Sequence, residues 1–509
     1  QSRSSAASDV YKRQLQYTVI MLNYKDWNIS IIVVILIAVI GIFIYSFLDP
    51  SSASKQLSSA YSFLALKFEK TFQYGALALI VFLITFAVSN KGATKIKIDG
   101  RDEYSLLSWG VMVFTAGMGA SILYWSPIEW AYYFNDPPFN LVDNLDQKSL
   151  FSRTYSSFHW GLTGWAIYTI PALAFAVSLN KNPETSLTFS GIFFANPNNI
   201  FERFAGLFLD FIFIISIISG AAIAIGVSFP LIAVLISNVF DIESSSFTEL
   251  IVLLICFVIV CSSSILGLSK GIKRLSIINI FFVFVLLGAF LMLGPTKEIL
   301  NLSSESLGAL VKNFLKMSTY NGDNFVQDWT VFYWAWWLAL SPFVGSFIVN
   351  ISNGKTLREL ILGTMFIGAL GSILHFLIIG NYSYLLFSSN EIDIPRLISD
   401  GDSTQVILAI IQTLPFENIF LCLYSIVMLI FLCTTYDSCA YVLASAGMKS
   451  AKKNPDFLLR IIFSMLLMVL PGLFLFVDGL EFTKNILLIS SIPLLLVFVA
   501  MMYVSVRDV

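Results

Sequence analysis

Charged residues are scarce in this chain. Of its 509 residues, 12% are Asp, Glu, Lys or Arg and 57% are hydrophobic, whereas a soluble domain carries about a quarter charged residues. This composition excludes an ordinary soluble protein and predicts an integral membrane protein. The net charge of −2 gives no reason to expect nucleic acid as a partner.

Residues that carry out chemistry are also scarce. There are two histidines, which we interpret as structural, and five cysteines, which lie in apolar stretches without paired or metal-ligand spacing. An enzyme needs a converging nucleophile, acid–base pair or metal cluster, and many ATP-driven pumps carry a Gly-x-x-x-x-Gly-Lys-Ser/Thr motif. The sequence contains neither, nor the repeated pore-lining polar residues of a channel. It therefore favours a secondary transporter over an enzyme.

Apolar runs of about 20 residues, the length that crosses a bilayer, predict twelve transmembrane spans. In chain order they cover residues 28–48, 73–89, 104–134, 152–179, 203–238, 248–266, 274–294, 326–352, 357–380, 417–448, 457–476 and 483–506. Loops after even-numbered spans sum to a charge of about +8, and loops after odd-numbered spans to about −9. Because basic loops stay in the cytoplasm, both termini are predicted to lie on the cytoplasmic side of a cell inner membrane.

The residues before the first span, 1–27, are predicted to form an N-terminal tail. Within it, the Ser-rich residues 1–14 do not resemble the rest of the chain. We interpret them as non-native and leave them out of the fold prediction.

Tryptophan is concentrated in span 8, which holds four of the ten tryptophans without a charged residue among them. On a helix, Trp334, Trp337 and Ser341 share one face and Trp336 points elsewhere, and Pro342 is predicted to interrupt the helix. Tryptophan also anchors helices at the membrane interface, and that alternative stays open. Converging ring faces would instead bind a cation without donor hydrogens, such as a quaternary ammonium ion.

A second aromatic cluster lies in span 4. Trp160, Gly164 and Tyr168 follow one another at intervals of four residues, and Trp165 precedes Tyr168 by three. On a continuous helix these rings open onto one cavity. The neighbouring His159 and the distant His375 are the two histidines interpreted as structural.

Span 3 is interrupted by small residues. Gly117, Met118 and Gly119 lie near its middle, which predicts a discontinuous helix whose free carbonyl groups could bind a cation. Close helix packing is the alternative use of such glycines.

Span 10 places hydroxyl groups and a carboxylate inside the membrane. Thr434, Thr435, Asp437 and Ser438 follow one another closely, and hard cations take oxygen ligands. The threonines could instead bond back to their own helix. A carboxylate is costly in a span unless it is paired, so Asp437 is predicted to be functional or part of a polar network.

Several of these runs resemble the betaine/choline/carnitine transporter family, and the resemblance extends from span 3 to span 10. It rests on residues 158–168, 329–337, 341–345 and 351–359. It implies an all-α integral membrane protein with two inverted five-helix repeats, the leucine-transporter-like fold, after two extra N-terminal helices. The implied units are spans 1 and 2 (28–89), a first repeat (104–294), a periplasmic amphipathic helix (303–316) and a second repeat (326–506).

The resemblance also implies the substrate and its site. The substrate would be a quaternary-ammonium or sulfonium osmolyte such as betaine, choline or carnitine. Residue by residue, the implied aromatic box is Trp160, Trp165, Tyr168 and Trp337 with Trp336 nearby, and Met118 lies beside it between Gly117 and Gly119 of the unwound segment.

A sodium ion is the coupling ion that the resemblance implies. Its ligands would be the hydroxyls of Thr434 and Thr435, the Phe431 carbonyl, and backbone carbonyls near Thr115 and Met118. The resemblance also implies that Asn279 stands at the position of a buried arginine in the carnitine-exchanging branch of the family. The absence of that arginine leaves room for the ion. Trp130 favours the other mode of transport, because the exchanging branch also has tryptophan at this position. Import by sodium symport is predicted, with sodium-independent exchange of substrate for product as the alternative.

The family resemblance further implies a homotrimer surrounded by lipid. The helix predicted at 303–316 carries Leu307, Leu310, Val311 and Leu315 roughly along one stripe, as in a helix that lies on the membrane surface. That helix would carry contacts between subunits.

Overall fold

The fold is taken from a computed structural model, which describes residues 26–98, 101–266, 269–449, 455, 457–472 and 479–509. Most of the predicted N-terminal tail lies outside the described residues. The described chain is helical, and its β-bridges, Trp27 with Met448 and Lys95 with Thr356, are isolated.

The helices are numbered here in chain order. They are α1 (Ile29–Leu48), α2 (Pro50–Val88), α3 (Leu106–Ala116), α4 (Ala120–Trp125), α5 (Glu129–Asn135), α6 (Leu145–His159), α7 (Leu162–Lys181), α8 (Phe189–Phe193), α9 (Ile200–Val239), α10 (Ser246–Leu266), α11 (Ser269–Leu293), α12 (Thr296–Thr319), α13 (Val331–Ile351), α14 (Leu357–Gly363), α15 (Ala369–His375), α16 (Asn381–Ser388), α17 (Ile394–Ser399), α18 (Ser403–Gln412), α19 (Glu417–Ala446), α20 (Phe457–Gly472) and α21 (Gly479–Arg507). Single π-helical turns precede α13 and join α14, α15 and α16.

Helices dominate because hydrocarbon offers no partner for backbone N–H and C=O groups, which a helix satisfies within its own segment. Their ends carry ordinary capping signals. Asp49 accepts a hydrogen bond from the Ser52 N–H at the start of α2, with Pro50 as the first helical residue. Thr356 and Glu359 form a reciprocal capping box at the start of α14.

Ten helical stretches among the described residues are long and apolar enough to cross a membrane. Two of the twelve predicted spans are not among them. Span 3 divides into α3, α4 and α5. Residues 473–476 of the span predicted at 457–476 lie outside the described residues, and the apolar part of its described helix, Phe457–Val469, is shorter than a span. The count of twelve and the inverted repeats therefore stay predictions.

The aromatic-rich helices lie at the centre of the bundle. The most apolar window of Leu145–Lys181 is 94% buried and that of Val326–Ile351 is 83% buried, against 28% for Ile29–Leu48. The central position of α7 and α13 brings the two aromatic clusters into contact, whereas α1 lies at the periphery.

Span 4 is not the continuous helix that the sequence predicted. It breaks between α6 and α7 at Trp160 and Gly161, where Gly161 takes a non-helical conformation (φ −96°, ψ −142°). A Cβ atom at Gly161 would lie 2.4 Å from the Ser157 carbonyl oxygen. Trp160 therefore projects from a junction between two helices and not from the face that it was predicted to share with Tyr168.

The predicted interruption of span 8 at Pro342 is wrong, because α13 continues through the proline to Ile351. Proline has no N–H to donate to the carbonyl four residues earlier, which is that of Leu338. The Ser341 hydroxyl donates to this carbonyl at 2.7 Å. The serine thus satisfies the acceptor that Pro342 leaves free, and the helix persists.

We predict that Ser341→Ala destabilises the protein more than Ser425→Ala. Both serines are buried and donate to a carbonyl in their own helix, but the Leu421 carbonyl keeps its helical N–H donor after the second substitution. Ser341→Ala leaves the Leu338 carbonyl without that support, and a buried unsatisfied group costs about 1–3 kcal/mol. Thermal unfolding in mild detergent measures the difference, and equal melting temperatures would refute this explanation of the unbroken helix.

Candidate functional site

A cavity of about 130 Å³ lies where the α3–α4 junction meets α7, α9, α13 and α19. Eight predicted site residues line it: Gly117, Met118, Gly119, Trp160, Trp165, Tyr168, Trp337 and Thr435. The rest of the wall is largely apolar, and no lining residue is charged. A ligand in this cavity therefore meets aromatic faces, methyl groups and backbone atoms.

Four rings of the cavity wall pack against one another. Tyr168 and Trp337 have their centroids 4.4 Å apart, and Trp165 lies 5.5 Å from Tyr168 and 6.1 Å from Trp337. Trp160 lies 5.9 Å from Trp337 at an interplanar angle of 73°. Rings in these tilted and edge-to-face arrangements present several π-faces to one small volume, which suits a cation with a methylated surface.

Two glycines allow the rings to approach. A Cβ atom at Gly164 would lie 2.4 Å from the Trp337 ring, and one at Gly368 would lie 2.2 Å from the Trp165 ring. Both distances are far below van der Waals contact. The position of the Trp337 indole against α7 therefore requires glycine at 164.

The helix break at Gly117–Gly119 is tied to the same rings. The Trp165 Nε1 donates to the Ser372 hydroxyl at 3.0 Å, and that hydroxyl donates to the Gly117 carbonyl at 3.1 Å. A Cβ atom at Gly117 would lie 2.6 Å from the Gly368 carbonyl oxygen. The backbone between α3 and α4 is thus held close to α15 and to the aromatic cage, by which we mean Trp160, Trp165, Tyr168 and Trp337.

A buried carboxylate, to which the sequence analysis gave no role, fixes one side of the cage. Glu129 is fully buried and accepts hydrogen bonds from Trp160 Nε1 and the Tyr133 hydroxyl, each at 2.8 Å, and from the Tyr333 hydroxyl. His159 bonds Tyr133 in turn, at 2.8 Å. These bonds set the plane of the Trp160 ring. The feature of the sequence that could have shown this role is a glutamate in an otherwise uncharged span.

Trp336 lies one layer behind the cavity. Its Nε1 donates to the Gly220 carbonyl at 2.9 Å, and its ring lies 5.6 Å from that of Trp160. It supports the cage and does not line the cavity.

The predicted sodium ligands are only partly brought to the cavity. Met118 and Thr435 line it. The Thr434 hydroxyl donates to the Phe431 carbonyl at 3.0 Å, and the Thr115 hydroxyl donates to the Met112 carbonyl at 3.1 Å. Thr434 therefore bonds back within its own helix, although a donating hydroxyl keeps lone pairs that can coordinate a cation.

Asp437 on α19 and Asn279 on α11 are polar residues with different surroundings. Asp437 pairs with Arg460 of α20 at 2.7 Å, with both side chains 14% exposed, so its carboxylate belongs to a polar network. The buried Asn279 donates to the Val427 carbonyl of α19 at 3.1 Å, and its amide oxygen has no hydrogen-bond partner among the described residues.

Trp130, the tryptophan that this chain shares with the exchanging branch, lies away from the cavity. Its Nε1 donates to the Ser383 hydroxyl at 2.6 Å, and its ring packs on those of Tyr384 and Phe387. It therefore has no contact with a ligand in the aromatic cage.

Known proteins match this chain over most of its length. Residues 29–509 match the family model described as betaine/carnitine/choline family transporter. The chain is 30% identical over 430 residues to the uncharacterized transporter YeaV of Escherichia coli, covering 83% of this chain and 88% of that protein. It is 28% identical to the ectoine/hydroxyectoine transporter of Virgibacillus pantothenticus, over 94% and 95% of the two chains.

A further relative is the carnitine transporter of Acinetobacter baumannii, which is 27% identical over 84% of this chain and 80% of its own length. The family model spans nearly the whole chain, including the helices that form the cavity. Together with the multi-pass helical fold, these matches show that this protein is a membrane transporter of the betaine/carnitine/choline transporter family.

Proposed function

We propose that the protein imports a small onium osmolyte across the cell inner membrane by sodium symport, with both termini in the cytoplasm. The observation that carries the proposal is the aromatic cage around an uncharged cavity. A carboxylate in the wall would attract any cation, whereas ring faces favour a cation whose charge is spread over methyl groups and lacks N–H donors. Betaine, choline, carnitine and sulfonium analogues share that head group.

The size of the cavity supports a small substrate. Its 130 Å³ is below the range of about 300–1,000 Å³ that sites for drug-sized ligands span. An onium head fits the aromatic part of such a space, and the backbone of Gly117–Gly119 borders the rest. The cage recognises the head group, so the substrate's tail is distinguished by the wall outside the rings.

Sodium coupling is supported by the oxygen atoms on α19 beside the cavity. Thr435 lines the cavity from α19, and Met118 borders the same space from the helix break. We propose that Thr434, Thr435, the Phe431 carbonyl and backbone carbonyls near Thr115 and Met118 hold the ion. Sodium would then draw α19 and the α3–α4 junction together, and substrate and sodium would tighten each other's binding by one common factor.

Assembly as a homotrimer is proposed on the family resemblance. The helix predicted at 303–316 is α12 (Thr296–Thr319) in the structure, and Leu307, Val311 and Leu315 on it are exposed. A row of exposed leucines and valine suits contact with another subunit.

We predict that Trp337→Leu weakens substrate binding by about 2- to 30-fold, because one ring contributes roughly 0.5–2 kcal/mol to a bound cation. Trp334→Leu is the matched control. Trp334 is a buried tryptophan of the same helix, but it packs on Phe158 and His159. Tryptophan-fluorescence titration with betaine and choline measures both variants, and equal losses would remove the cage from the proposal.

The double substitution Thr434→Ala with Thr435→Ala is expected to abolish sodium-stimulated uptake while the protein remains folded and inserted, because it removes two proposed hydroxyl ligands. Ser438→Ala, at an exposed position of the same helix, is the control and should retain stimulation. Uptake of labelled substrate into proteoliposomes, with and without a sodium gradient, provides the measurement. Wild-type uptake that is equal in potassium and sodium and faster with preloaded substrate would identify an exchanger instead.

The trimer is tested by the mass of the purified protein in mild detergent and in nanodiscs. We expect three copies per particle, and Val311→Glu should shift the distribution towards monomer because it places a charge in the apolar row. Exclusively monomeric particles of the wild type in both media would count against trimeric assembly.

A further inference from the structure

A second cavity, of about 940 Å³, lies between α6, α12 and the end of α16, and shares no lining residue with the aromatic cage. Its volume is within the range of about 300–1,000 Å³ that ligand sites span. On the proposed orientation it opens on the outer face of the membrane, where the loops are acidic overall. Its own lining is different, because three basic residues, Arg153, Lys312 and Lys316, meet there.

Arg153 is the buried member of this set, with 7% of its surface exposed. Its Nη1 donates to the Leu302 carbonyl and the Ser306 hydroxyl, both at 3.2 Å, and its guanidinium lies 4.7 Å from the Tyr384 ring. These partners are neutral. The Arg153 Nη2 donates to the Glu305 carboxylate at 3.5 Å, but that side chain is 58% exposed, so water screens most of its charge.

The guanidinium is therefore buried with a weak counter-charge. Its Nε is also buried and has no hydrogen-bond partner among the described residues. A buried cation is costly unless an anion compensates it closely. An anion from outside the chain would supply the missing counter-charge at this site.

The two lysines point to the same conclusion. Lys312 and Lys316 lie one turn apart on α12 and are both exposed. The Lys316 ammonium lies 4.0 Å from the centroid of the Phe139 ring. Within the described chain, neither lysine has a carboxylate within 4.0 Å. Both ammonium groups remain able to pair with a ligand.

We propose that this cavity, lined by Arg153, Lys312 and Lys316, binds a phosphate group, carried either by the headgroup of an anionic phospholipid or by free inorganic phosphate. Three cationic side chains face two acidic ones, Asp146 and Glu305, so the lining has a net positive charge. Guanidinium and ammonium donors together match the several oxygens of a phosphate. The Asn313 amide is a further polar group of the wall.

The test uses the full-length protein purified in mild detergent. The variant Lys312→Gln with Lys316→Gln changes two exposed residues and leaves the buried Arg153 intact, so the fold is expected to persist. Lys297→Gln is the control, because Lys297 is an exposed lysine of the same helix outside the cavity. Native mass spectrometry measures retention of dioleoylphosphatidylglycerol against dioleoylphosphatidylcholine, and thermal unfolding with inorganic phosphate tests the free anion.

If the phosphate comes from a lipid, wild type and Lys297→Gln retain phosphatidylglycerol in preference to phosphatidylcholine, and the double variant loses about tenfold in affinity because two solvent-exposed charge pairs are lost. If the source is free phosphate, the salt raises the melting temperature of the wild type and not that of the double variant, without a lipid preference.

The proposal is overturned if neither anion binds, or if binding is the same in the double variant. It is also overturned if a zero-length cross-linker joins Lys312 to a carboxylate of a second copy in the assembled protein. The counter-charge would then belong to a neighbouring subunit.

Discussion

The close approach of α7 and α13 at Gly164 is the constraint on which the binding cavity depends. The Trp337 indole occupies the space that any larger residue at 164 would fill, and in that position it contacts Trp160, Trp165 and Tyr168 together. Without this contact the two aromatic clusters would be separate features of two helices. With it, they enclose one volume that no charged residue lines and in which the ring faces can contact a cation.

The cage is kept in place by polar groups that would be costly to leave unpaired in a membrane. Glu129 orients Trp160 from one side, and Ser372 links Trp165 to the Gly117 carbonyl on the other. The second link joins the rings to the interrupted helix beside the proposed sodium ligands. A change in the backbone at Gly117 therefore reaches the Trp165 indole through a single side chain, which offers a short physical route between the proposed sodium ion and the proposed substrate.

Local patterns in the sequence predicted much of this arrangement, but long-range contacts did not follow from them. The aromatic clusters stand out because tryptophan is rare, and the Gly117–Gly119 segment stands out within an apolar run. The roles of Glu129, Ser372 and Gly368 depend on partners some 30 to 250 residues away and need the fold. The predicted interruption at Pro342 is wrong because the neighbouring Ser341 donates the hydrogen bond that proline cannot. Trp160 lies at a helix junction that periodicity does not show.

The most direct test of the aromatic cage compares ligands of equal shape and different charge. Choline and 3,3-dimethylbutan-1-ol differ at the nitrogen, as do betaine and 3,3-dimethylbutanoate. Dissociation constants from intrinsic tryptophan fluorescence should show the onium member of at least one pair binding more than about tenfold more tightly, since several rings each contribute roughly 0.5–2 kcal/mol to a cation. Equal affinities within both pairs would mean that the cavity selects for shape alone and would contradict recognition of the onium charge by the rings.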